Sequence, residues 1–447
     1  MIRLYAIGGF SEVGRNMTAL QIDDDVIIFD CGLFLPPIVE LEAEERNKGY
    51  NEKRLREIDG VPDDLILDKF GLRNKVRAML VSHAHLDHVG AIPYLSYRYD
   101  AEVAATPYTI EVLKSILNDN GIKLKNTLKP ITPNSSYTVK GKKNYQVEFL
   151  NITHSTLQAS LIAVHTPKGV VLYANDFKFD DFPILGKKPN YERLKELAKE
   201  GVLAVIVDSL YSSEERKTPS ERIARDLLED VLFTVENKNA SIFITTFSSH
   251  IARLKSIVDF GKKLGRKVVF LGRSLHKYVS AAMKVDLCPF SKDIILTTYT
   301  NEVKKALKKI ELDRSKYLVV CTGHQGEPGS IMDKISRGVL PFNFMPGDQV
   351  IFSSRVIPSP INVANRSQLE KKLKEKGVRI FTDVHVSGHC AREDLRDFIT
   401  MLKPKHIIPA HGDITKLTPM AELAGELGYE LGKNIHLVQN GQVIDLG

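Results

Sequence analysis

The sequence predicts an α/β chain: a framework split in sequence encloses an inserted segment with a mainly parallel sheet flanked by helices. Three observations predict it. Short apolar runs end repeatedly in Asp or His, as buried strands do when they deliver polar groups to a sheet edge. From residue 208 to about 355, strand patterns alternate with helical ones, which argues for parallel pairing. Beyond residue 357 the first style returns, with His389 and His411 near strand ends. The expected division is 1–207, an inserted 208–357, and 358–447 completing the first part.

The 447 residues are 43% hydrophobic and 26% charged, ordinary proportions for a globular chain of two or three domains. No apolar run approaches the roughly 20 residues of a membrane span. The start, Met1-Ile2-Arg3-Leu4-Tyr5-Ala6-Ile7-Gly8-Gly9, enters a strand pattern directly and lacks the features of a signal peptide. A cytoplasmic location is expected. Cys31, Cys288, Cys321 and Cys390 are widely spread with no Cys-x-x-Cys pair. Free thiols are therefore expected, not a cysteine zinc site. A net charge of +7 permits an anionic partner without identifying one.

Residues 1–30 read as strands joined by tight turns at Gly8-Gly9, Gly14 and Asp23-Asp24-Asp25. The run Val26-Ile27-Ile28-Phe29 ends at Asp30, a carboxylate placed to orient an imidazole from beneath. Residues 36–70, with Pro36-Pro37 and the charged stretch 40–46, read as a surface excursion with a helical piece. The run Val76–Val81 leads into Ser82-His83-Ala84-His85-Leu86-Asp87-His88. In extended backbone His83 and His85 share a face, whereas the adjacent Asp87 and His88 diverge. The bland alternative, solvated histidines in a polar turn, fits poorly because a chance His-x-His-x-Asp-His is rare.

A short helix over 90–99, a strand over 102–105 and a helix over 107–118 follow. A strand over 147–150 precedes His154, and one over 170–173 precedes Asp176. Alone, His154 would be an ordinary polar residue and Asp176 a helix cap. Their shared position after an apolar strand raises both. A strand over 202–207 stops at Asp208.

Within the inserted segment, helices over 220–236, 251–264 and 276–285 alternate with strands over 241–245, 267–270, 318–321 and 349–353. Basic clusters recur there: Arg253, Lys255, Lys262, Lys263, Arg266 and Lys267, then Lys304, Lys305, Lys308 and Lys309. Each alone reads as a solvated helix face; together they fit a phosphate-rich partner. The tail reads as a strand over 378–383, then His385-Val386-Ser387-Gly388-His389, a helix over 392–402 and a strand before His411. A last hairpin, 436–438 with 443–446, is expected to turn at Asn440-Gly441.

Imidazole nitrogen with carboxylate oxygen is a ligand set suited to zinc or manganese. One ion can take His83, His85 and His154. A second can take Asp87, His88 and His411. Asp176 can bridge the two. Two ions about 3.5–4 Å apart clamp attacking and leaving oxygens and acidify the water between them, which suits phosphodiester hydrolysis.

His83-Ala84-His85-Leu86-Asp87-His88, with Asp30, His154, Asp176 and His411, resembles the metallo-β-lactamase fold, an αββα sandwich. The inserted segment, with Asp208 after a strand and His389 in Ser387-Gly388-His389, is similar to the β-CASP branch that acts on nucleic acids. Within that branch nearly the whole chain resembles the ribonuclease J family. The matching residues are Gly8-Gly9, Glu12-Val13-Gly14-Arg15-Asn16-Met17, Phe247-Ser248-Ser249, Gly323-x-Gln325-Gly326-Glu327-Pro328, Phe352-Ser353-Ser354-Arg355-Val356-Ile357-Pro358 and His385-x-Ser387-Gly388-His389. The length resembles the shorter archaeal members. Pro358-Ser359-Pro360 departs from the usual proline-glycine-asparagine run.

The resemblance implies a zinc-dependent ribonuclease, two Zn2+ per chain with Mn2+ as substitute, degrading RNA from a 5′-monophosphate end, with endonucleolytic cleavage in some members. It implies that Asp208 orients His389 and that His389 is the general acid for the leaving group. It implies phosphate contacts from among Ser248, Ser249, Ser353, Arg355, His385 and Ser387, since arginine and hydroxyl groups suit phosphate oxygens. Homodimers are common in the family. The alternatives are an endonuclease of the mRNA 3′-end cleavage type, a metallohydrolase of small esters or thioesters, and an RNA-binding scaffold with an idle site.

Overall fold

In the computed structural model, which describes residues 1–40, 50–357 and 360–447, the chain divides into two compact units. The first comprises Met1–Asp181, Gly186–Thr218 and Ser387–Gly447; the second comprises Phe182–Leu185 and Pro219–Val386. Among the described residues, the first unit holds a seven-stranded and a six-stranded sheet. In the larger sheet the strands run in the order Val443–Asp445, Ile2–Gly8, Met17–Ile22, Asp25–Phe29, Val76–Val81, Glu102–Ala105 and Leu128–Pro130. In the smaller the order is His406–Ala410, Val202–Asp208, Gly169–Ala174, Ser160–Thr166, Asn144–Asn151 and Ser135–Lys140.

Side-chain alternation explains why these layers stack. In strand Val202–Asp208, Ala204 and Ile206 join the core shared with Leu4, Leu20, Ile27 and Leu80 of the larger sheet. Val205 and Val207 point the other way, into a core with Leu395, Phe398 and Leu402 of helix Arg392–Leu402. Strand Gly169–Ala174 repeats the pattern, with Val171 and Tyr173 on one face and Leu172 and Ala174 on the other. A strand buried on both faces needs a continuous apolar run, which is what both carry. On the far side of the larger sheet, helix Pro107–Asn120 buries Tyr108, Ile110, Val112 and Leu113 and stops at Gly121, whose φ of 63° gives the left-handed cap. The result is the αββα sandwich.

The second unit is built on one six-stranded, wholly parallel sheet, in the order Ile294–Thr297, Lys267–Leu271, Tyr317–Cys321, Ile242–Thr245, Gln349–Phe352 and Arg379–Phe381. Helices make the crossovers, as parallel pairing requires. The division lies later in sequence than expected. Strand Arg379–Phe381 pairs with Gln349–Phe352, with helix Pro360–Glu375 as the crossover, so 358–386 belongs to this unit. Residues 208–218 stay with the first unit, held by Ser209 N–H to Ala410 O at 3.0 Å and a bridge between Tyr211 and Ala391.

The expected terminal hairpin does not form. Val443–Asp445 pairs with Ile2–Gly8, whereas His436 N–H binds Ile407 O at 2.9 Å, so its two arms join different sheets. The 90–99 helix is two short pieces, Ile92–Leu95 and Ser96–Arg98, after the turn Leu86–Val89. The excursion over 36–70 contains helices Leu35–Glu40, Glu52–Glu57 and Ile66–Lys69. Residues 41–49 of that excursion, and Pro358 and Ser359 of the departing loop, lie outside the described residues. All four cysteines are buried free thiols. Among the described residues, no helix is long and apolar enough to cross a membrane.

Candidate metal centre

Strand ends of both sheets in the first unit deliver the predicted residues to one place. Asp30 follows Asp25–Phe29, Ser82 and His83 follow Val76–Val81, Asp176 follows Gly169–Ala174, Asp208 ends Val202–Asp208, and His411 follows His406–Ala410. Asp30, Asp176 and His411 each adopt left-handed backbone, with φ of 57°, 54° and 62°. Such conformations cost energy and persist where the surroundings over-determine them, commonly at functional sites. Each turns the chain sharply at its strand end.

Among the described residues three sets of donor atoms result, each gathered within 4.8 Å: His83, His85, His154 and Asp176, then Asp87, His88, Asp176 and His411, and at the side Asp176, Asp208 and His389. His85 Nδ1 lies 3.1 Å from His83 Nε2 and 3.0 Å from His154 Nε2. Asp176 Oδ2 is 3.6 Å from His83 Nε2, 3.7 Å from His154 Nε2 and 3.2 Å from His88 Nε2. Its other oxygen, Oδ1, is buried without a hydrogen bond and lies 3.5 Å from His411 Nδ1. Nitrogens bound to one tetrahedral zinc at about 2.0–2.1 Å stand about 3.3 Å apart, so the spacing fits a shared cation.

Hydrogen bonds behind the rings set the tautomers. Ser82 Oγ donates to Asp30 Oδ2 at 2.8 Å, so it accepts from His83 Nδ1 at 3.0 Å. His154 Nδ1 donates to Gly388 O at 2.7 Å, and His88 Nδ1 to Asp30 Oδ2 at 2.7 Å. Carbonyl and carboxylate oxygens only accept, so the proton must sit on Nδ1 and the Nε2 lone pair faces the centre. Burial pushes His83 and His154 well below their ordinary pKa and His85 down to about 4, keeping them neutral as ligation requires. For His88 burial acts downward too, but Asp176, Asp87 and Asp30 outweigh it and raise its pKa.

Asn16 is the site residue that sequence reasoning left without a role. Its side-chain N–H donates to Asp87 O at 3.1 Å and faces His88 Nε2 at 3.1 Å. Its Oδ1 accepts from Asn175 Nδ2 at 3.1 Å and stands 3.1 Å from His411 Nδ1. One buried amide thus spans both sides of the second donor set. The available signal was its place in Gly14-Arg15-Asn16-Met17, but a loop carries no periodicity that reveals such contacts.

His389 lies at the rim. Its Nδ1 is 2.7 Å from Asp208 Oδ2, and its Nε2 is 3.9 Å from Asp176 Oδ2. Burial lowers its pKa, but Asp208 and Asp176 dominate and raise it to about 9. Ser387, in the same unit, accepts from His389 N–H at 3.0 Å through its Oγ.

The remaining phosphate candidates lie in the second unit. Ser248 and Ser249 are buried and Arg355 is exposed. His385 is partly buried, and its Nδ1 has no hydrogen-bond partner. Ser353 is not presented to solvent: it is 0% exposed, donates to Val384 O at 2.8 Å and receives Arg253 Nη1 at 2.8 Å. The first basic cluster is divided: Lys262, Lys263 and Lys267 are exposed. Arg253 and Arg266 are buried, and Lys255, Lys262 and Lys263 pair with Asp259, Asp293 and Glu229. Lys304, Lys305, Lys308 and Lys309 stay exposed on helix Thr300–Leu312.

Three family models match the chain: metallo-β-lactamase superfamily over 11–232, ribonuclease J β-CASP domain over 239–369, and Zn-dependent metallo-hydrolase RNA specificity domain over 368–438. The chain is 42% identical to Ribonuclease J of Methanocaldococcus jannaschii, over 99% of this chain and 98% of that one. The chain belongs to the ribonuclease J family. Ribonuclease J of Pyrococcus abyssi is 44% identical over 100% of this chain and 97% of its own. Ribonuclease J 1 of Streptococcus pyogenes is 30% identical, and this chain spans 74% of it. A crystal structure of a protein of unknown function from Enterococcus faecalis matches with a TM-score of 0.66 at 19% identity, covering 99% of each chain, which supports the fold. The ribonuclease J fold and its His/Asp clusters fit a divalent metal.

Proposed function

We infer that this chain is a zinc-dependent ribonuclease that degrades RNA 5′-to-3′ from a 5′-monophosphate end. The observation that carries the reading is Asp176 standing between two donor sets in which His83, His88 and His154 already hold the tautomer that ligation needs. Relatives named Ribonuclease J, alike over nearly their whole length, supply the substrate class.

In this reading His83, His85, His154 and Asp176 hold one zinc, and Asp87, His88, Asp176 and His411 hold the other. Bound there, the two ions polarise the phosphodiester and lower the pKa of water at the site. The chain's residues do the rest. Asp30 holds His88, and through Ser82 holds His83, in the tautomers described above. Asp208 accepts from His389 Nδ1, leaving Nε2 as the donor that gives its proton to the departing 3′ oxygen. His385, Arg355, Ser248, Ser249 and Ser387 are the groups proposed to hold phosphate oxygens. A cytoplasmic homodimer belongs to the same reading, and light scattering measures the dimer directly.

RNA labelled at either end and carrying one or three 5′ phosphates tests the activity. The expected result is mononucleotides released from the 5′ end, faster with one phosphate. Equal rates with internal products only would reject the exonuclease reading.

A further inference from the structure

The largest fully buried side chain in the second unit is an arginine that the metal chemistry does not use. Arg253, on helix Ile251–Lys263, is 0% exposed. Its Nε and Nη2 meet the two carboxylate oxygens of Glu221, the Nη2 contact at 2.8 Å. This is the two-pronged geometry that suits guanidinium to carboxylate. The remaining nitrogen, Nη1, donates to Ser353 O at 2.9 Å, Ser353 Oγ at 2.8 Å and Val384 O at 3.3 Å. Ser353 Oγ closes the triangle by donating to Val384 O at 2.8 Å.

The two segments so joined are remote in sequence. Ser353 follows strand Gln349–Phe352, while Val384 lies beyond strand Arg379–Phe381, immediately before His385. Those strands pair only from Gln349 to Ile351 against Arg379 to Phe381. Past that point, among the described residues, no ladder holds the chain exits together. The guanidinium does, and it does so from inside. Glu221 also faces His250 Nε2 at 3.4 Å, and His250 Nδ1 receives Arg253 N–H at 3.3 Å, so the helix start joins the same network.

The residue this network delivers is His385, with its buried Nδ1 lacking a hydrogen-bond partner. Burial, then Arg253 and His250, push its pKa down to about 2, so the ring is neutral and offers one N–H. A buried polar atom with unused hydrogen-bonding capacity calls for a partner, and a neutral imidazole can meet an anionic oxygen through its N–H. The cost of burying an ion pair exceeds what a merely apolar core would need, so the pair is better explained by the position it fixes.

We propose that Arg253, paired with Glu221, is a positioning residue for end recognition: it clamps Ser353 to Val384 and thereby sets His385 to receive an oxygen of the RNA 5′-monophosphate. The proposal rests on the end-recognition reading above. Arg253 does not touch the RNA; it acts through His385.

The test compares kcat and KM on RNA carrying a 5′-monophosphate and on the same RNA carrying a 5′-hydroxyl. The double variant Arg253→Met, Glu221→Leu removes both charges, so neither is left buried alone. It is expected to lower the monophosphate-over-hydroxyl ratio of kcat/KM about tenfold through KM, equivalent to about 1.4 kcal/mol. Zinc content is expected to match the wild-type chain. Ser353→Ala, which changes no charge, covers the case in which the double variant does not fold; it should lower the same ratio about threefold, again through KM. A wild-type preference kept undiminished by the variants overturns the positioning role alone. A wild-type enzyme indifferent to the 5′ group overturns end recognition and this inference with it. A fall in kcat on both RNAs alike shows a merely structural role and also overturns it.

Discussion

His389 Nδ1 lies 2.7 Å from Asp208 Oδ2, while Nε2 of the same ring stands 3.9 Å from Asp176 Oδ2. One carboxylate holds the imidazole from behind; the other belongs to the donor sets in front. His389→Ala should therefore retain metal and lose cleavage rate by about 10²–10⁴, the range for a lost general acid. Metal analysis and single-turnover kinetics on the same preparation check this. Loss of metal along with rate would contradict the assignment.

The same pair sets the pH profile. A general acid works when protonated, so activity falls as pH rises through the pKa of His389. Burial lowers that pKa, and Asp208 then Asp176 raise it, to about 9 in the metal-free chain. Cations held by Asp176 cancel that carboxylate's share, so the alkaline limb in the loaded enzyme lies below this value. Asp208→Asn removes the larger upward influence and should move the limb of kcat/KM further toward lower pH. An unmoved limb would show that another group supplies the proton.

Metal affinity should depend on residues that never touch metal. Asp30→Ala leaves His88 Nδ1 and Ser82 Oγ without their acceptor. Loss of such an orienting partner typically costs 10–100-fold in affinity, or about 1.4–2.8 kcal/mol. Asn16→Ala should act on the second donor set by freeing His411 and the Asp87 carbonyl. Asp87→Ala should lose metal and activity together. Competition with a zinc chelator ranks all three against the wild-type chain.

The backbone under the cluster tolerates no added atom at Gly32. A Cβ there would meet Asp87 O at 1.6 Å and His88 N at 2.7 Å. Those atoms are backbone and cannot swing aside, so Gly32→Ala must displace the Asp87–His88 turn. The expected cost is at least about 3 kcal/mol, with metal lost as well. Urea denaturation of the apo chain isolates the stability part. A melt unchanged within error would contradict the packing described.

In the second unit, Arg253→Met alone should destabilise by about 3–5 kcal/mol, because Glu221 is left buried and charged. Adding Glu221→Leu should recover most of that loss. The recovery, read as a double-mutant cycle, separates an isolated buried charge from lost packing.

Much of the candidate metal centre's donor cluster was legible because its residues are local in sequence. Three histidines and an aspartate fall within His83-Ala84-His85-Leu86-Asp87-His88, and Asp30, Asp176 and Asp208 each terminate an apolar run. What was not legible depended on distant partners. Asn16 acts on His411, 395 positions away. Arg253 read as a surface charge because its partner Glu221 lies on another helix. Ser353 stood among the phosphate-holding candidates by resemblance, and sequence does not show that its hydroxyl is taken by Val384 O. The boundary near 386 was missed since Arg379–Phe381 is short and only partly buried, and resembles a tail strand until its pairing is known. The final hairpin failed for a related reason: Asn440-Gly441 turns the chain, but sheet edges already present capture each arm.

Anomalous diffraction at the zinc absorption edge, from crystals of the zinc-loaded chain, bears most directly on the site. Two peaks are predicted, one on each side of the Asp176 carboxylate, the first against His83, His85 and His154, the second against Asp87, His88 and His411. A single peak, or a pair that leaves Asp176 uncoordinated, would contradict the account.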